Sequence, residues 1–270
     1  MAIVSLGVAS RPSARWLATQ IAVVVGGITT YFGVRGLTES SPHVARLNAE
    51  DIVALERRLG IDHEAAAQSL VIGSESLSTF ANWVYIWGHW PVIIATLLWL
   101  AVRHRAAYER LRNAMVASGL IGIVVFVAYP VAPPRLADLG LVDTVTEQSS
   151  AYRVLQPPAF VNQYAAMPSL HVGWDLLVGL TVASVLSARW LRWAARVMPM
   201  LMVLSVVVTA NHYLLDVFAG AAVALIGLRI AVLLERRRGA GVVDLATANV
   251  MHVPTQRAAR DVHRDLHAAR

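Results

Sequence analysis

Residues 165–220 read AAMPSLHVGWDLLVGLTVASVLSARWLRWAARVMPMLMVLSVVVTANHYLLDVFAG and set two polar clusters among long apolar runs. The first cluster is PSLH at residues 168–171, and the second is NHYLLD at residues 211–216. Ionisable side chains beside bilayer-length apolar segments are costly to insert, so they mark a candidate functional site. The pattern predicts that two histidines and an aspartate meet at one face of a membrane domain.

The composition indicates an integral membrane protein. Of the 270 residues, 57% are hydrophobic and 15% are charged, with a mean hydropathy of +0.56. Soluble domains carry about 25% charged residues. The chain has no cysteine, which excludes disulfides, thiol nucleophiles and cysteine-ligated metals. A net charge of +6 suggests a nucleic-acid partner, but a topological bias of arginine explains it better, so no nucleic acid is expected.

Several apolar segments approach the length of about 20 residues that crosses a hydrocarbon core of roughly 30 Å. We predict six spans, at residues 16–34, 83–102, 114–129, 171–187, 194–210 and 213–234. The expected fold is all-α, a six-transmembrane-helix bundle with an amphipathic helical outer loop. The first segment is too long for a signal-peptide core and no A-x-A site closes it, so it is expected to remain as a span.

Arginine is distributed unequally between the two sets of loops. If the N-terminus is inside, the segments on that side hold 12 arginines and the opposite segments hold 6. The positive-inside rule then predicts cytoplasmic termini and places both polar clusters on the outer face. The absence of lysine and the abundance of alanine suggest a bacterial plasma membrane. The predicted parts are a membrane domain at 1–238, outer loops at 35–82 and 130–169, and a polar cytoplasmic tail at 239–270.

The first outer loop contains a helical pattern. Asn48 is a candidate N-cap and Gly60 a candidate C-terminal cap. Ile52, Leu55 and Leu59 recur at helical spacing between them. We interpret this segment as a packed amphipathic helix that covers the bundle and carries no catalytic residue.

The second predicted span is rich in aromatic residues. Trp83, Trp87 and Trp90 are typical of anchors at the membrane interface. Pro91 predicts a kink in this span. We interpret His89 as a satisfied interior histidine rather than a catalyst.

The second polar cluster places His212 and Asp216 four residues apart, on one face of a helix that begins near His212. An aspartate there can accept a proton from one imidazole nitrogen and leave the other with a free lone pair. A structural hydrogen bond or a pair of metal ligands would give the same spacing.

The first polar cluster is typical of a helix start. Pro168 suits the first turn, and Ser169 offers a hydroxyl beside unpaired backbone N–H groups, which form an anion site. His171 then lies in the first turn, where it can donate a proton to a bound anion. The alternative is a histidine at the level of the lipid headgroups.

A third segment, YPVAPPR at residues 129–135, follows the third span. Its prolines stiffen the chain and place Arg135 at the outer surface, where a guanidinium suits bidentate contact with phosphate. Snorkelling of this arginine to lipid phosphate is the alternative. Together the three segments put an arginine, a serine, two histidines and an aspartate on one face, which points to a phosphate substrate.

These segments resemble the motifs of the type 2 phosphatidic acid phosphatase superfamily, K-x6-R-P, P-S-G-H and S-R-x5-H-x3-D on a six-span core. Residues 168–171 match the second motif with Leu170 in place of glycine. His212 and Asp216 match the third motif, with Ser205 at its serine. The phrase NQYAAMPSLHVGW at residues 162–174 resembles the inositolphosphotransferase branch, which includes inositol phosphorylceramide synthases.

The resemblance implies a role for each matching residue. His212 would attack phosphorus and become a phosphohistidine, and Asp216 would orient it. His171 would protonate the leaving oxygen and then activate the acceptor, water or an alcohol. Arg135 and backbone N–H groups near Ser169 would hold the phosphate oxygens. This chemistry needs no metal and no cofactor.

The sequence departs from the family motifs at their cationic positions. Ala128 replaces the lysine, Val206 aligns with the arginine of the third motif, and Leu136 follows Arg135 where the family has proline. Neutral donors and Arg153 would therefore have to help hold the phosphate. The remaining candidates for substrate contact are Arg153, Tyr164, Ser169, Leu170, Asn211 and Tyr213.

Asp175 is a further candidate, one turn into the fourth span and four residues after His171. An unpaired carboxylate at that depth costs about 2.5–3.5 kcal/mol on insertion scales. We expect it either to bond His171 or to face a polar cavity that admits a headgroup. A protonated structural aspartate is the alternative.

The leading hypothesis is a membrane enzyme that cleaves or transfers a lipid-linked phosphate or a phosphoinositol-like headgroup. Hydrolysis, with water as the acceptor, is one alternative. A non-catalytic lipid-phosphate binder or transporter is another, because two of the three cationic ligands are missing. A metal-dependent hydrolase would use the same histidines and aspartate as ligands and would lose activity in EDTA.

Overall fold

The computed structural model describes residues 13–37, 41–148 and 163–251, and the regular elements within them are helical. They are α1 (Ala14–Leu37), α2 (Pro42–Leu59), α3 (Glu64–Ile72), α4 (Glu75–Trp87), α5 (Trp90–Arg103), α6 (Arg105–Ala128), α7 (Thr144–Gln148), α8 (Leu170–Val185), α9 (Arg189–Val208) and α10 (Leu214–Met251). A 3-10 turn at Pro134–Leu136 lies between α6 and α7. The all-α prediction is confirmed for the described residues.

Three described helices are long and apolar enough to cross a membrane: α6, α9 and the part of α10 at Leu214–Arg237. α4 and α5 pass the same test together as one bent span, which raises the number to four. α8, with 16 residues, is a shorter apolar helix, and α1 covers the first predicted span. The membrane character agrees with the prediction, and the count of six spans stays a prediction.

A bend of 40° separates α4 from α5 within the second predicted span. The break falls at Gly88 and His89, and Pro91 lies in the first turn of α5, where its missing N–H is tolerated. A Cβ at Gly88 would meet the carbonyl oxygen of Val84. The predicted kink is confirmed, but it precedes Pro91, and it places His89 in the interior at 3% exposure.

The segment predicted as the first outer loop forms α2, α3 and the start of α4. α2 begins at Pro42, because proline in the first turn is already fixed near the helical φ. The prediction of an Asn48 cap is therefore wrong, and the Asn48 side chain instead donates to the Pro130 carbonyl oxygen at 2.7 Å. Gly60, with a φ of 70°, ends α2 as predicted.

The buried face of α2 packs on the segments that flank α8 and α10. Of the predicted stripe, Ile52 is 4% exposed, whereas Leu55 and Leu59 are 41% and 57% exposed. The cluster that includes this face contains Ala45, Ala49, Ile52, Val53, Val131, Ala132, Ala166 and Tyr213. α2 is thus part of the wall around the two polar clusters.

The first turn of α8 lies directly against α10. The Ser169 N–H donates to the Asp216 carbonyl oxygen at 3.0 Å. Two glycines permit this approach: a Cβ at Gly173 would lie 2.6 Å from the Gly220 carbonyl oxygen, and one at Gly220 would meet the carbonyl oxygen of Ser169. The two polar clusters of the sequence are therefore joined through the backbone.

The chain divides into two compact units, Met1–Ala231 and Val232–Arg270. The first contains both polar clusters. Within the second, the described residues continue α10 to Met251. The predicted boundary at residue 238 stays a prediction, and the rest of the predicted tail lies outside the described residues.

Candidate active site

Ser169 caps α8 and is fully buried. Its Oγ accepts the Val172 N–H at 3.5 Å, and its own N–H is bonded to Asp216. The Ser169 N–H is therefore not available to a phosphate, whereas its hydroxyl still has a proton to donate. Leu170 follows and packs against Gly122 of α6, where a Cβ would lie 3.1 Å from a Leu170 methyl carbon.

His212 lies in the turn just before α10, and its ring is held at Nδ1. That nitrogen is 2.8 Å from the Ala166 carbonyl oxygen and 3.4 Å from Oδ2 of Asp216. A carbonyl oxygen can only accept, so Nδ1 carries the proton and Nε2 keeps the lone pair in the neutral ring. Asp216 Oδ2 also accepts the Tyr213 N–H at 3.0 Å, which fixes the carboxylate.

The fold brings His171 to His212, with ring centroids 5.7 Å apart. His171 stacks on Tyr85 of α4 at 4.7 Å and packs against His89 at 4.3 Å. Its Nε2 is buried, and no described residue provides a hydrogen-bond partner for it. Two imidazoles with different surroundings thus lie side by side, one oriented by a carbonyl and the other held by ring contacts.

Arg135 lies in the 3-10 turn after α6, and its backbone N–H donates to the Ala210 carbonyl oxygen at 2.9 Å. This bond ties the third predicted segment to the turn before His212. The guanidinium Nε is 3.2 Å from Oδ2 of Asp143. The Arg135 guanidinium is also close enough to His171 for its positive charge to act on that ring. The predicted cation is therefore at the site, but a carboxylate already neutralises part of its charge.

Three neutral candidates lie around the same turn. Tyr164 provides a carbonyl oxygen that accepts the Val131 N–H at 2.8 Å. The Asn211 amide nitrogen donates to the carbonyl oxygen and hydroxyl of Thr209, and Asn211 is 3% exposed. The Tyr213 hydroxyl donates to the Ala132 carbonyl oxygen at 3.1 Å. The Tyr213 hydroxyl and the Asn211 amide thus donate their protons to groups of the chain itself.

Asp175 is placed differently from the other predicted candidates. Asp175 is fully buried, and its Oδ1 is bonded to His89 Nδ1 at 2.9 Å rather than to His171. Arg153 lies outside the described residues.

Val206, at the position of the family's arginine, is fully buried in an apolar cluster with Tyr85. The side chain at the position of the family's arginine is therefore a packed apolar residue and not a phosphate ligand.

Two acids, one from α2 and one from α3, cap α10. Glu64 Oε1 accepts the Leu214 N–H at 2.8 Å, and Glu56 Oε1 accepts the Leu215 N–H at 2.6 Å. Burial raises the pKa of Glu56 to about 8, since the Leu215 N–H lowers it only in part and the Glu64 charge raises it further. These N–H groups at the start of α10 are thus occupied, and they are not a phosphate site.

A group of acids with metal-ligand spacing lies among the described residues, Glu56, Asp62 and Glu64, with oxygens within 4.8 Å of one another. Glu56 and Glu64 serve as caps, and Asp62 pairs with Arg57 at 2.8 Å. The group does not include the histidines or the aspartate of the predicted site. It therefore gives no support to a metal-dependent hydrolase that uses them.

Sequence reasoning missed several groups that hold the site. The carbonyl oxygen of Ala166 is a backbone atom and has no signature in the sequence. Glu56 and Glu64 are far from the motifs along the chain. His89 is interior, as predicted, but its bond to Asp175 has no signature in the sequence. The motif spacing did predict that His171, His212 and Asp216 belong together, and the structure places them so.

The sequence model of the PAP2 superfamily matches residues 50–230, and this match agrees with the motifs. The matched range includes the C-terminal half of α2, all of α3 to α9 and the first part of α10. Comparison with curated proteins and with solved structures gives no match.

Proposed function

The chain belongs to the PAP2 superfamily, whose members are generally phosphatases and phosphotransferases, and on that premise we propose a phosphohistidine mechanism on a lipid-linked phosphate. One observation carries the proposal: His212 Nδ1 is bonded to the Ala166 carbonyl oxygen while its ring lies beside His171. An oriented nucleophile next to a second titratable ring is the arrangement that covalent catalysis with acid assistance requires.

In the first step, Nε2 of His212 attacks phosphorus. The N–P bond forms as the bond from phosphorus to the leaving oxygen breaks, and His171 gives its proton to that oxygen. In the second step, the acceptor loses a proton to His171, its oxygen attacks phosphorus, and the N–P bond breaks. The acceptor is water in hydrolysis and an alcohol in transfer, and both cases regenerate the two histidines.

Arg135 and the Ser169 hydroxyl are the proposed donors to the phosphate oxygens. Arg135 would turn part of its guanidinium from Asp143 toward the substrate, while its backbone bond to Ala210 keeps it in place. Leu170, Tyr164 and the remaining candidates would shape the site rather than neutralise charge. With one cation in place of three, we expect weaker phosphate binding than the family motifs allow.

The membrane placement forms part of the proposal. Six spans with cytoplasmic termini, in a bacterial plasma membrane, would put the site on the outer face. The donor would then be a lipid-linked phosphate or phosphoinositol-like headgroup, consistent with the resemblance of residues 162–174 to the inositolphosphotransferase branch.

The test uses the purified full chain in lipid vesicles with phosphatidic acid and phosphatidylinositol, each labelled in its phosphate. The water-soluble label, which is phosphate from phosphatidic acid and inositol phosphate from phosphatidylinositol, is separated from headgroup transferred to an added ceramide. We expect His212→Ala to reduce turnover to background and His43→Ala, an exposed histidine of α2, to leave it unchanged. Turnover by His212→Ala would overturn the nucleophile assignment.

The same assay separates the alternatives. Release of water-soluble label alone, as phosphate or inositol phosphate, identifies hydrolysis, and transfer to the lipid acceptor identifies a transferase. Saturable lipid binding without turnover, and without acid-labile label on the protein, identifies a binder. Activity that persists in EDTA eliminates the metal-dependent hydrolase, in which the histidines and Asp216 would be ligands.

A further inference from the structure

Outside the family motifs, a second buried pair of titratable side chains lies beside the site. His89 Nδ1 and Asp175 Oδ1 are 2.9 Å apart, and the two residues are 3% and 0% exposed. Burying two such groups costs several kcal/mol unless they are well paired and hydrogen-bonded. A role in stability is therefore a weak explanation for a buried pair. The pair joins the break between α4 and α5 to α8.

The pair is adjacent to the proposed acid. The His89 and His171 rings have centroids 4.3 Å apart, closer than the 5.7 Å between His171 and His212. Asp175 follows His171 by four residues in α8, so both lie on one face of that helix. The Asp175 carboxylate nevertheless bonds His89, and its second oxygen, Oδ2, is buried without a partner among the described residues.

The charges that face His171 show what the pair can supply. To act as an acid, His171 must carry a proton and hence a positive charge. Burial opposes that charge most, and His89, His212 and Arg135 oppose it further when they are positive. The groups around His171 are Tyr85 of α4, His89, Arg135, His212 with its partner Asp216, and Asp175 of α8 itself.

We propose that His89 and Asp175 are positioning residues for His171, an inference that rests on the proposed function. Asp175 is ionised and His89 is neutral, donating from Nδ1, so the pair carries one negative charge. That charge stabilises protonated His171 while Asp216 serves His212, and the fixed His89 ring keeps the His171 ring in place. The two proposed catalytic histidines then have separate carboxylates, one direct and one acting through a second imidazole.

The decisive variant is Asp175→Asn, which keeps the shape of the side chain and removes its charge. We expect the alkaline limb of the kcat/KM profile to move to lower pH by about one unit. kcat at pH 7.5 should fall by about tenfold, with little change in KM. His89→Gln retains a donor for Asp175 and should lose less activity than His89→Ala. The charge control is Glu50→Gln, an exposed acid of α2, which should leave the profile unchanged.

A second readout does not depend on turnover. In ¹⁵N-histidine NMR of the full chain in detergent, the fraction of His171 that is protonated at a fixed pH should fall in Asp175→Asn. The His171→Asn variant identifies the signal, and size-exclusion chromatography confirms folding. An unchanged protonated fraction in folded Asp175→Asn, or a rate loss equal at every pH, would overturn this proposal. If Asp175→Asn alters the His171 signal while His212→Ala still turns over substrate, only the proposed function is overturned.

Discussion

At the scale of single residues, His212 has two partners at one nitrogen, and they have different consequences. The Ala166 carbonyl oxygen, at 2.8 Å, fixes the tautomer without help from a charge. In the proposed mechanism, the Asp216 carboxylate, at 3.4 Å, would contribute negative charge as the ring becomes a phosphorylated cation. The carboxylate is therefore expected to matter for the rate and not for the orientation of the ring.

This division predicts the effect of Asp216→Asn. The asparagine oxygen still accepts the Tyr213 N–H, so the turn should keep its shape. Turnover should fall by about a hundredfold, less than in His212→Ala, because the tautomer is kept while the charge is lost. Rates of both variants in the vesicle assay check this, with Asp51→Asn on the exposed face of α2 as control. Equal losses in both variants would show that Asp216, and not Ala166, sets the tautomer.

The residues of the site were predictable to the extent that they belong to short local patterns. His212 and Asp216 are four apart in one helix, and Ser169 caps the helix that contains His171. The contact of Asp175 with His89 spans 86 residues of sequence and depends on the α4–α5 break, so the spacing to His171 suggested the wrong partner. Long-range side-chain pairing has no local signature from which to predict it.

At the scale of elements, the start of α10 depends on acids from α2 and α3. Glu56 holds a proton more tightly in the folded chain, where its pKa is about 8, than at its ordinary pKa of 4.5. Because the folded state binds more protons between these values, the contribution of Glu56 to stability is greatest below about pH 4.5 and is lost as the pH rises to about 8. α2 and α3 should therefore loosen in mildly alkaline solution.

Glu56→Gln tests this dependence, because its amide oxygen can still accept the Leu215 N–H while the titration is removed. The variant should unfold a few degrees higher than the parent at pH 8.5 and show a flatter stability profile from pH 5 to 8.5. Thermal unfolding in detergent measures it, with Glu50→Gln as the exposed control. A parent profile that rises over this interval would contradict the assignment.

The contact between α8 and α10 gives a second prediction for the elements. A Cβ at Gly220 would meet the carbonyl oxygen of Ser169, which is backbone and cannot turn aside. Gly220→Ala should therefore cost about 1–3 kcal/mol and displace the turn that holds His171, lowering turnover. Gly73→Ala, with nothing within 4 Å of its Cβ, is the matched control. Unfolding temperature and turnover are measured together, and a neutral Gly220→Ala would refute the close approach.

The elements themselves were largely predictable because apolar segments of this length have few alternatives in a membrane. α6, α9 and α10 occur near the predicted spans, and Gly60 ends α2 as expected. The start of α2 was mispredicted because Asn48 suits a cap, yet Pro42 offers an earlier helix start. The outward-facing Leu55 and Leu59 show that helical spacing alone does not tell which side of a surface helix is buried.

At the scale of the whole molecule, the site is built from three segments of the first unit. The segment after α6, the start of α8 and the turn before α10 are joined by backbone bonds from Arg135 to Ala210 and from Ser169 to Asp216. Three chain segments that contain the predicted site residues are thus held together. The arginine bias predicts, without reference to the site, that these segments lie on the outer face, and this topology stays a prediction.

Cysteine labelling tests that topology cleanly, because the chain contains no cysteine. Leu139 follows the 3-10 turn that holds Arg135, and Ser187 follows the far end of α8, whose 16 residues extend about 24 Å. Both positions are exposed. In intact bacterial cells, an impermeant maleimide should label Leu139→Cys at once and Ser187→Cys only after permeabilisation. The reverse pattern would place the site on the cytoplasmic face, and labelling of both in intact cells would show that α8 does not separate two membrane faces.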